Sequence, residues 1–256
     1  MIESNKDYKK CEEALSSVLG LAFHFLETMR FNQKNPQQLI SVCLYARLLE
    51  LATACMALQE KKALVGIPVL LRSMFEADID LTNLMKIPDY YKRMNASFLK
   101  EKLRVTKEAA SSRPSPFLEA IRQNRDSKKD LREIQAELDR LTEEKNGPIN
   151  IRCRAELAGK LDDYLTNYSM LCLDTHNNIR FLEEWHIEKL PAGKYRVVLF
   201  KQSTDDIALA LLYVCHILLS QTKLLAAFLG TTGIEFDKYF RELQQLANAV
   251  TKNKPK

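Results

Sequence analysis

The sequence predicts an all-α protein, a multi-helix bundle with one short β-hairpin near residues 186–200. Three observations carry this. The chain has only 7 Gly and 8 Pro in 256 residues, too few for the many tight turns of a sandwich, barrel or propeller. Apolar residues recur three and four apart over most of its length, the period of a helix with one buried face. The period turns to alternation at a single place. With 46% hydrophobic residues the chain can fill a core, and 1–256 reads as one helical domain with a charged helical arm at about 117–147.

The elements follow in order. Over 5–31, Cys11, Leu15, Val18, Leu19, Ala22, Phe25 and Met29 make one apolar face on a long helix. Asn35-Pro36, a capping residue before a proline at the first helical position, opens a second helix to about residue 61. Gly66 and Pro68 repeat the punctuation, so a third helix runs from Pro68 to the stop at Pro88. A fourth spans about 89–110 and gives way to a loop, Ser-Ser-Arg-Pro-Ser-Pro, at 111–116. Beyond it 117–145 is highly charged, with a thin stripe of Leu131, Ile134, Leu138 and Leu141 that predicts a protruding helical hairpin covered on one side. Asn146-Gly147-Pro148 ends it, and one long helix is expected over about 152–185. Segments 186–190 and 195–200, joined by Pro-Ala-Gly-Lys, form the predicted hairpin. Thr204-Asp205-Asp206 opens an apolar helix over 207–229 that Gly230 terminates, and an amphipathic helix covers about 234–250.

The net charge of +5 is mild, but it is unevenly spread. Residues 92–129 hold eleven basic and four acidic side chains, net +7, so the rest of the chain sums to about −2. Lys92, Arg93, Lys100, Lys102, Arg104 and Lys107 are the candidate nucleic-acid contacts of this region, which reads either as solvated helix faces or as a patch that steers RNA or an acidic partner protein. The six cysteines include no C-x-x-C pair and read as reduced core residues. The longest strongly apolar run, 207–219, is shorter than the roughly 20 residues of a membrane span, so a soluble cytoplasmic protein with no membrane partner is expected.

The third helix carries the most unusual pattern. Arg72, Glu76, Asp80 and Asn83 fall within an arc of about 80° while nearly every other face is apolar. Facing water, Arg72 and Glu76 are an ordinary surface pair; facing the bundle, the stripe must be paired and can build a polar site between helices. His176, late in the next long helix, is a structural residue or a general acid or base working with Arg72 and Glu76. His24 and His216 read as packing residues. No paired ligand spacing such as H-E-x-x-H occurs, so neither a metal site nor another cofactor is expected, and no glycine-rich phosphate loop or G-x-S-x-G elbow is present.

Residues 41–94 resemble the bacterial helical family known as domain of unknown function 5677. The likeness rests on Arg72 and Glu76 after the Gly66-Ile67-Pro68 entry, on Pro88 and Tyr91, and on Tyr164, Tyr168, Ser169 and His176 ahead of the hairpin. It extends over roughly 35–230 and implies an all-helical domain with no assigned reaction. A second likeness is to the HEPN superfamily, many of whose members are metal-independent ribonucleases of toxin and antiphage systems. Its motif, Arg and then His after four to six residues, is matched by Arg180 and His186, with Phe181 where a polar residue is usual. The resemblances and the basic region together imply an RNA-acting effector, a HEPN-like ribonuclease of a bacterial defence or toxin system. Its catalytic group is Arg72, Glu76 and His176, or alternatively Arg180 and His186. RNA is favoured over DNA because the ribose 2′-hydroxyl supplies an internal nucleophile that needs no metal. The competing readings are a non-catalytic helical interaction module, with homo-oligomerisation left open, and a small-molecule sensor.

Overall fold

Asn35 begins the second helix as its position before Pro36 predicts: its side-chain oxygen accepts from the backbone N–H of Gln37 at 3.0 Å and of Gln38 at 3.2 Å. The computed structural model describes residues 6–111, 115–116, 118–119, 127–175, 178–199 and 204–252. Among these lie α1 (Lys6–Thr28), α2 (Pro36–Glu60), α3 (Gly66–Lys86), α4 (Tyr90–Ala110), α5 (Ser127–Glu143) and α6 (Ile151–Ala158). Next comes α7, which runs as Leu161–Asp163, a π-helical stretch Tyr164–Tyr168 and Ser169–Thr175. Then follow α8 (Ile179–His186), β1 (Ile187–Lys189), β2 (Tyr195–Val197), α9 (Thr204–Leu229) and α10 (Phe236–Lys252). The chain is an all-α bundle with one antiparallel two-stranded hairpin, in which Ile187 faces Val197, Glu188 faces Arg196 and Lys189 faces Tyr195.

The expected single helix over 152–185 is three helices. Gly159 adopts φ 74°, a left-handed conformation that costs glycine little, and ends α6. Asn178, with extended φ/ψ, caps α8, accepting from the Arg180 N–H at 3.0 Å. Both breaks carry ordinary helix punctuation, which the apolar period had masked.

α9 is the central helix, packed by α1, α2, α3 and α10. Its length and apolar composition, like those of α2, would suffice to cross a membrane, and most of the qualifying stretch of α9 is buried in this fold. Leu211 of α9 and, around it, Phe25, Tyr45, Leu48, Met74 and Phe75 are enclosed, each contributing about 1.5–3 kcal/mol by leaving water. Tyr45 reaches α9 through a 2.7 Å hydrogen bond between its hydroxyl and that of Thr222.

A second, smaller core lies apart from the first. Ala96, Leu99 and Leu103 of α4 meet Ile134 and Leu141 of α5, with Leu131 and Leu138 at its margin. The predicted apolar stripe is therefore covered, and the helix covering it is α4. The described part of the charged arm forms one side of an α4–α5 hairpin. The Gln37 side chain bridges the root of this hairpin, donating to the Ile87 carbonyl at 3.3 Å and accepting from the Asp89 N–H at 3.2 Å.

Candidate functional site

The polar stripe of α3 faces α6 and α7. Arg72 Nη2 donates to the Tyr168 hydroxyl at 3.2 Å, and that hydroxyl donates to Glu76 Oε1 at 2.8 Å. Arg72 and Glu76 are also paired directly at 3.4 Å. The guanidinium carbon lies 5.4 Å from the centre of the Tyr168 ring, and Tyr164 stacks on Tyr168 at 5.2 Å. The π-helical stretch makes this possible, because both tyrosines lie within its single wide turn. Arg72 and Glu76 keep 29% and 36% of their side chains exposed, so the charged edge of the cluster meets solvent while the Tyr168 ring is buried.

One turn beyond Glu76 the stripe of α3 becomes buried. Asp80 accepts from the Tyr90 hydroxyl at 2.8 Å and from Arg154 Nη1 at 2.6 Å. Asn83 Nδ2 donates to the Arg154 carbonyl at 2.9 Å. On another face of the helix Asp78, also buried, pairs with Lys160 at 2.7 Å and accepts from Gln221, whose amide also reaches Thr82 at 2.9 Å. Burial pushes both aspartates above the usual carboxylate range, and Lys160 and Arg154 pull the other way. Burial likewise raises the Tyr168 phenol above its ordinary value, its bond from Arg72 opposing and its bond to Glu76 reinforcing the shift.

The structure thus brings Arg72 and Glu76 together and adds Tyr168 between them. His176 lies outside the described residues. Arg180 is exposed, while His186 is half-buried with Nδ1 3.2 Å from the Val198 carbonyl oxygen. At 100° per residue the two side chains project about 120° apart around α8. His24 is exposed rather than packed. His216 is likewise exposed, at the edge of the Tyr213 and Phe240 rings 6.5 and 6.2 Å away, and partial desolvation lowers its pKa. Among the described residues no group of three or more His, Cys, Asp or Glu is arranged to hold a metal ion.

Four of the six candidate nucleic-acid contacts, Arg93, Lys100, Arg104 and Lys107, share one stripe of α4 about 60° wide. Arg104 is held by Glu101 at 2.9 Å, and among the described residues no carboxylate pairs with Arg93, Lys100 or Lys107. Lys92, bound to Asp89 at 3.0 Å, lies to one side, and Lys102 projects from the opposite side of the helix.

A family of unknown function, DUF5677, matches residues 38–194. The chain belongs to that family. The match runs from the start of α2 to the turn of the hairpin, so this DUF5677 protein holds Arg72, Glu76, Asp80, Arg154 and Tyr168 all within the family region. No curated protein and no solved structure matches the chain. Sequence reasoning found Arg72 and Glu76 from their spacing. It passed over Arg154, Lys160 and Asp78, whose partners are 74 and 82 residues away. The available signal was Asp78 itself, an acid on a face of α3 where the only other polar residue is Thr82.

Proposed function

We propose that this DUF5677 protein is an RNA-acting helical effector of the cytoplasm, a metal-independent ribonuclease of a bacterial defence or toxin system. The observation that carries the RNA reading is the α4 stripe: Arg93, Lys100, Arg104 and Lys107 are aligned, with Arg93 half-buried and the other three exposed, and only Arg104 is paired among the described residues, an arrangement suited to contacting successive phosphates of a polyanion. In the reaction His176 takes the proton of a ribose 2′-hydroxyl. The 2′-oxygen bonds to the adjacent phosphorus as the bond to the 5′-oxygen breaks, and that oxygen takes up a proton, leaving a 2′,3′-cyclic phosphate and a 5′-hydroxyl. Arg72, fixed over Tyr168 with its edge in solvent, supplies positive charge to the phosphorane oxygens.

One observation favours a non-catalytic module instead. Glu76 and Tyr168 hold Arg72, and Asp80 with Arg154 continues the same seam, so the cluster has the partners of a network that fixes helix register. Incubation with total RNA in EDTA separates the two. Wild-type protein should cleave, Arg72→Ala and His176→Ala should each lose cleavage while keeping their thermal melts, and His186→Ala should not. Loss with His186→Ala alone transfers the site to the Arg180 and His186 pair. Lys100→Glu with Lys107→Glu should weaken RNA binding and flatten its salt dependence by about one unit of slope per lost contact. Intact RNA with salt-dependent binding supports the module; no binding at all rejects the RNA reading.

A further inference from the structure

The α4–α5 hairpin is a unit of its own within the chain. Its core of Ala96, Leu99, Leu103, Ile134 and Leu141 is separate from the core of the bundle, and the substantial packing of α5 is on α4 alone. Two units with separate cores and a small joint move relative to one another unless something ties the joint. The chain crosses this joint twice, outward through Ile87-Pro88-Asp89 and back through 144–150. Each crossing has a left-handed residue that is not glycine, Asp89 with φ 60° and Lys145 with φ 62°. A side chain crowds the backbone in that region, so neither residue is held there by its own preference. Positions of this kind, at the ends of elements, absorb the change in backbone angle of a hinge.

What ties the joint is polar. Asp80, on α3, accepts from the Tyr90 hydroxyl at 2.8 Å and from Arg154 Nη1 at 2.6 Å. Tyr90 is the first residue of α4, where the chain leaves the bundle, and Arg154 lies in the first turn of α6, where it has returned. One carboxylate therefore holds both crossings. The Tyr90 ring is enclosed but belongs to neither core, and Gln37 adds a bond from the Asp89 N–H at 3.2 Å. Bonds of this kind exchange partners without an apolar core being repacked.

We propose that α4–α5 is a hinged arm that swings as a unit about Asp89 and Lys145, and that Asp80 is the catch that sets its angle. Leverage makes a small release visible. α4 has 21 residues and is about 30 Å long, so a turn of about 15° at its root carries its far end about 8 Å. The swing itself needs no RNA. With RNA on the α4 stripe, the catch also sets where that RNA lies relative to Arg72, which shares the polar face of α3 with Asp80.

The test is the distance between spin labels on the full chain, attached through p-acetylphenylalanine because the native cysteines are free thiols. One pair, at Glu50 on α2 and Glu108 on α4, reports the arm against the bundle. A second, at Glu108 and Asp139 on α5, reports the shape of the arm itself; all three positions are exposed. Tyr90→Phe and Asp80→Asn should each shift or broaden the first distance by about 5 Å or more and leave the second as in wild type. Tyr168→Phe, which removes a hydroxyl bonded to α3 away from the joint, should move neither. Thermal melts identify the folded variants, and Tyr90→Phe, which loses a single oxygen, keeps the test decisive where Asp80→Asn unfolds. Movement of the first pair in either catch variant, with the second pair fixed, supports the proposal. A first pair unmoved in every folded catch variant overturns it. So does equal movement of the second pair, which means an arm that frays, or equal movement in Tyr168→Phe, which means a general loosening. None of these outcomes depends on whether the protein acts on RNA.

Discussion

Replacing Arg154 with Met tests whether the inner half of the α3 seam is an ion pair held in low dielectric. Asp80 is 12% exposed and Arg154 24%, with Nη1 2.6 Å from Oδ2. After the substitution Asp80 retains the Tyr90 hydroxyl at 2.8 Å and nothing of opposite charge within reach among the described residues. Removing one partner of a buried pair costs about 3–5 kcal/mol, and partial solvent access to Arg154 lowers the expectation to about 2–4 kcal/mol. For a chain of this size that corresponds to a melting temperature lower by about 5–12 °C. The loss must depend on pH. Burial already holds Asp80 above the usual carboxylate range, and without Arg154 its folded-state pKa rises further. The native state of the variant then binds a proton more readily than the unfolded chain, so its stability recovers as pH falls from neutrality into that window. Urea unfolding followed by circular dichroism at pH 7.5 and pH 5.5 measures both effects. Asp80→Asn combined with Arg154→Met should restore much of the loss, since no charge is left behind. A loss below about 0.5 kcal/mol, or one equal at both pH values, refutes the reasoning.

Three further outcomes follow from the same geometry. Tyr168→Phe removes the hydroxyl between Arg72 and Glu76 and should cost about 1 kcal/mol in urea unfolding, small because both charges keep solvent contact. Leu141→Ala opens the α4–α5 core and should cost about 2–4 kcal/mol, with faster amide exchange in α4 and α5 while α9 keeps its protection. Asp78→Asn bears on pH dependence. Because the folded-state pKa of Asp78 lies above its unfolded value, the carboxylate destabilises the native state above that window and is relieved as pH falls through it. Wild type should therefore gain more stability on acidification than the variant does; parallel pH profiles would show that Lys160 and Gln221 fully offset the burial.

Much of the candidate site was legible in its spacing but not in its contacts. The periodic placement of Arg72, Glu76, Asp80 and Asn83 set them on one face of α3 before any fold was known, because 100° per residue is a property of the backbone. Whether that face met water or protein depended on α6 and α7, more than 60 residues later, and α7 reaches it only after Gly159 and Asn178 divide the expected helix. Tyr168 was visible as a family feature; its place between Arg72 and Glu76 was not. The charged arm shows the same division, its stripe of leucines readable and its cover, α4, unassigned.

The amino-acid sequence by itself determined the helical class, the hairpin, most helix starts and the polar stripe, all of which follow from local backbone geometry, capping chemistry and the period of apolar residues. Only the tertiary structure decided that α9 is the central helix, that Asp78 and Asp80 take their cations from Lys160 and Arg154, and that 178–199 carries an apolar surface the bundle does not cover. Those outcomes rest on contacts between residues far apart in sequence, where burial and pairing are set by which helices meet.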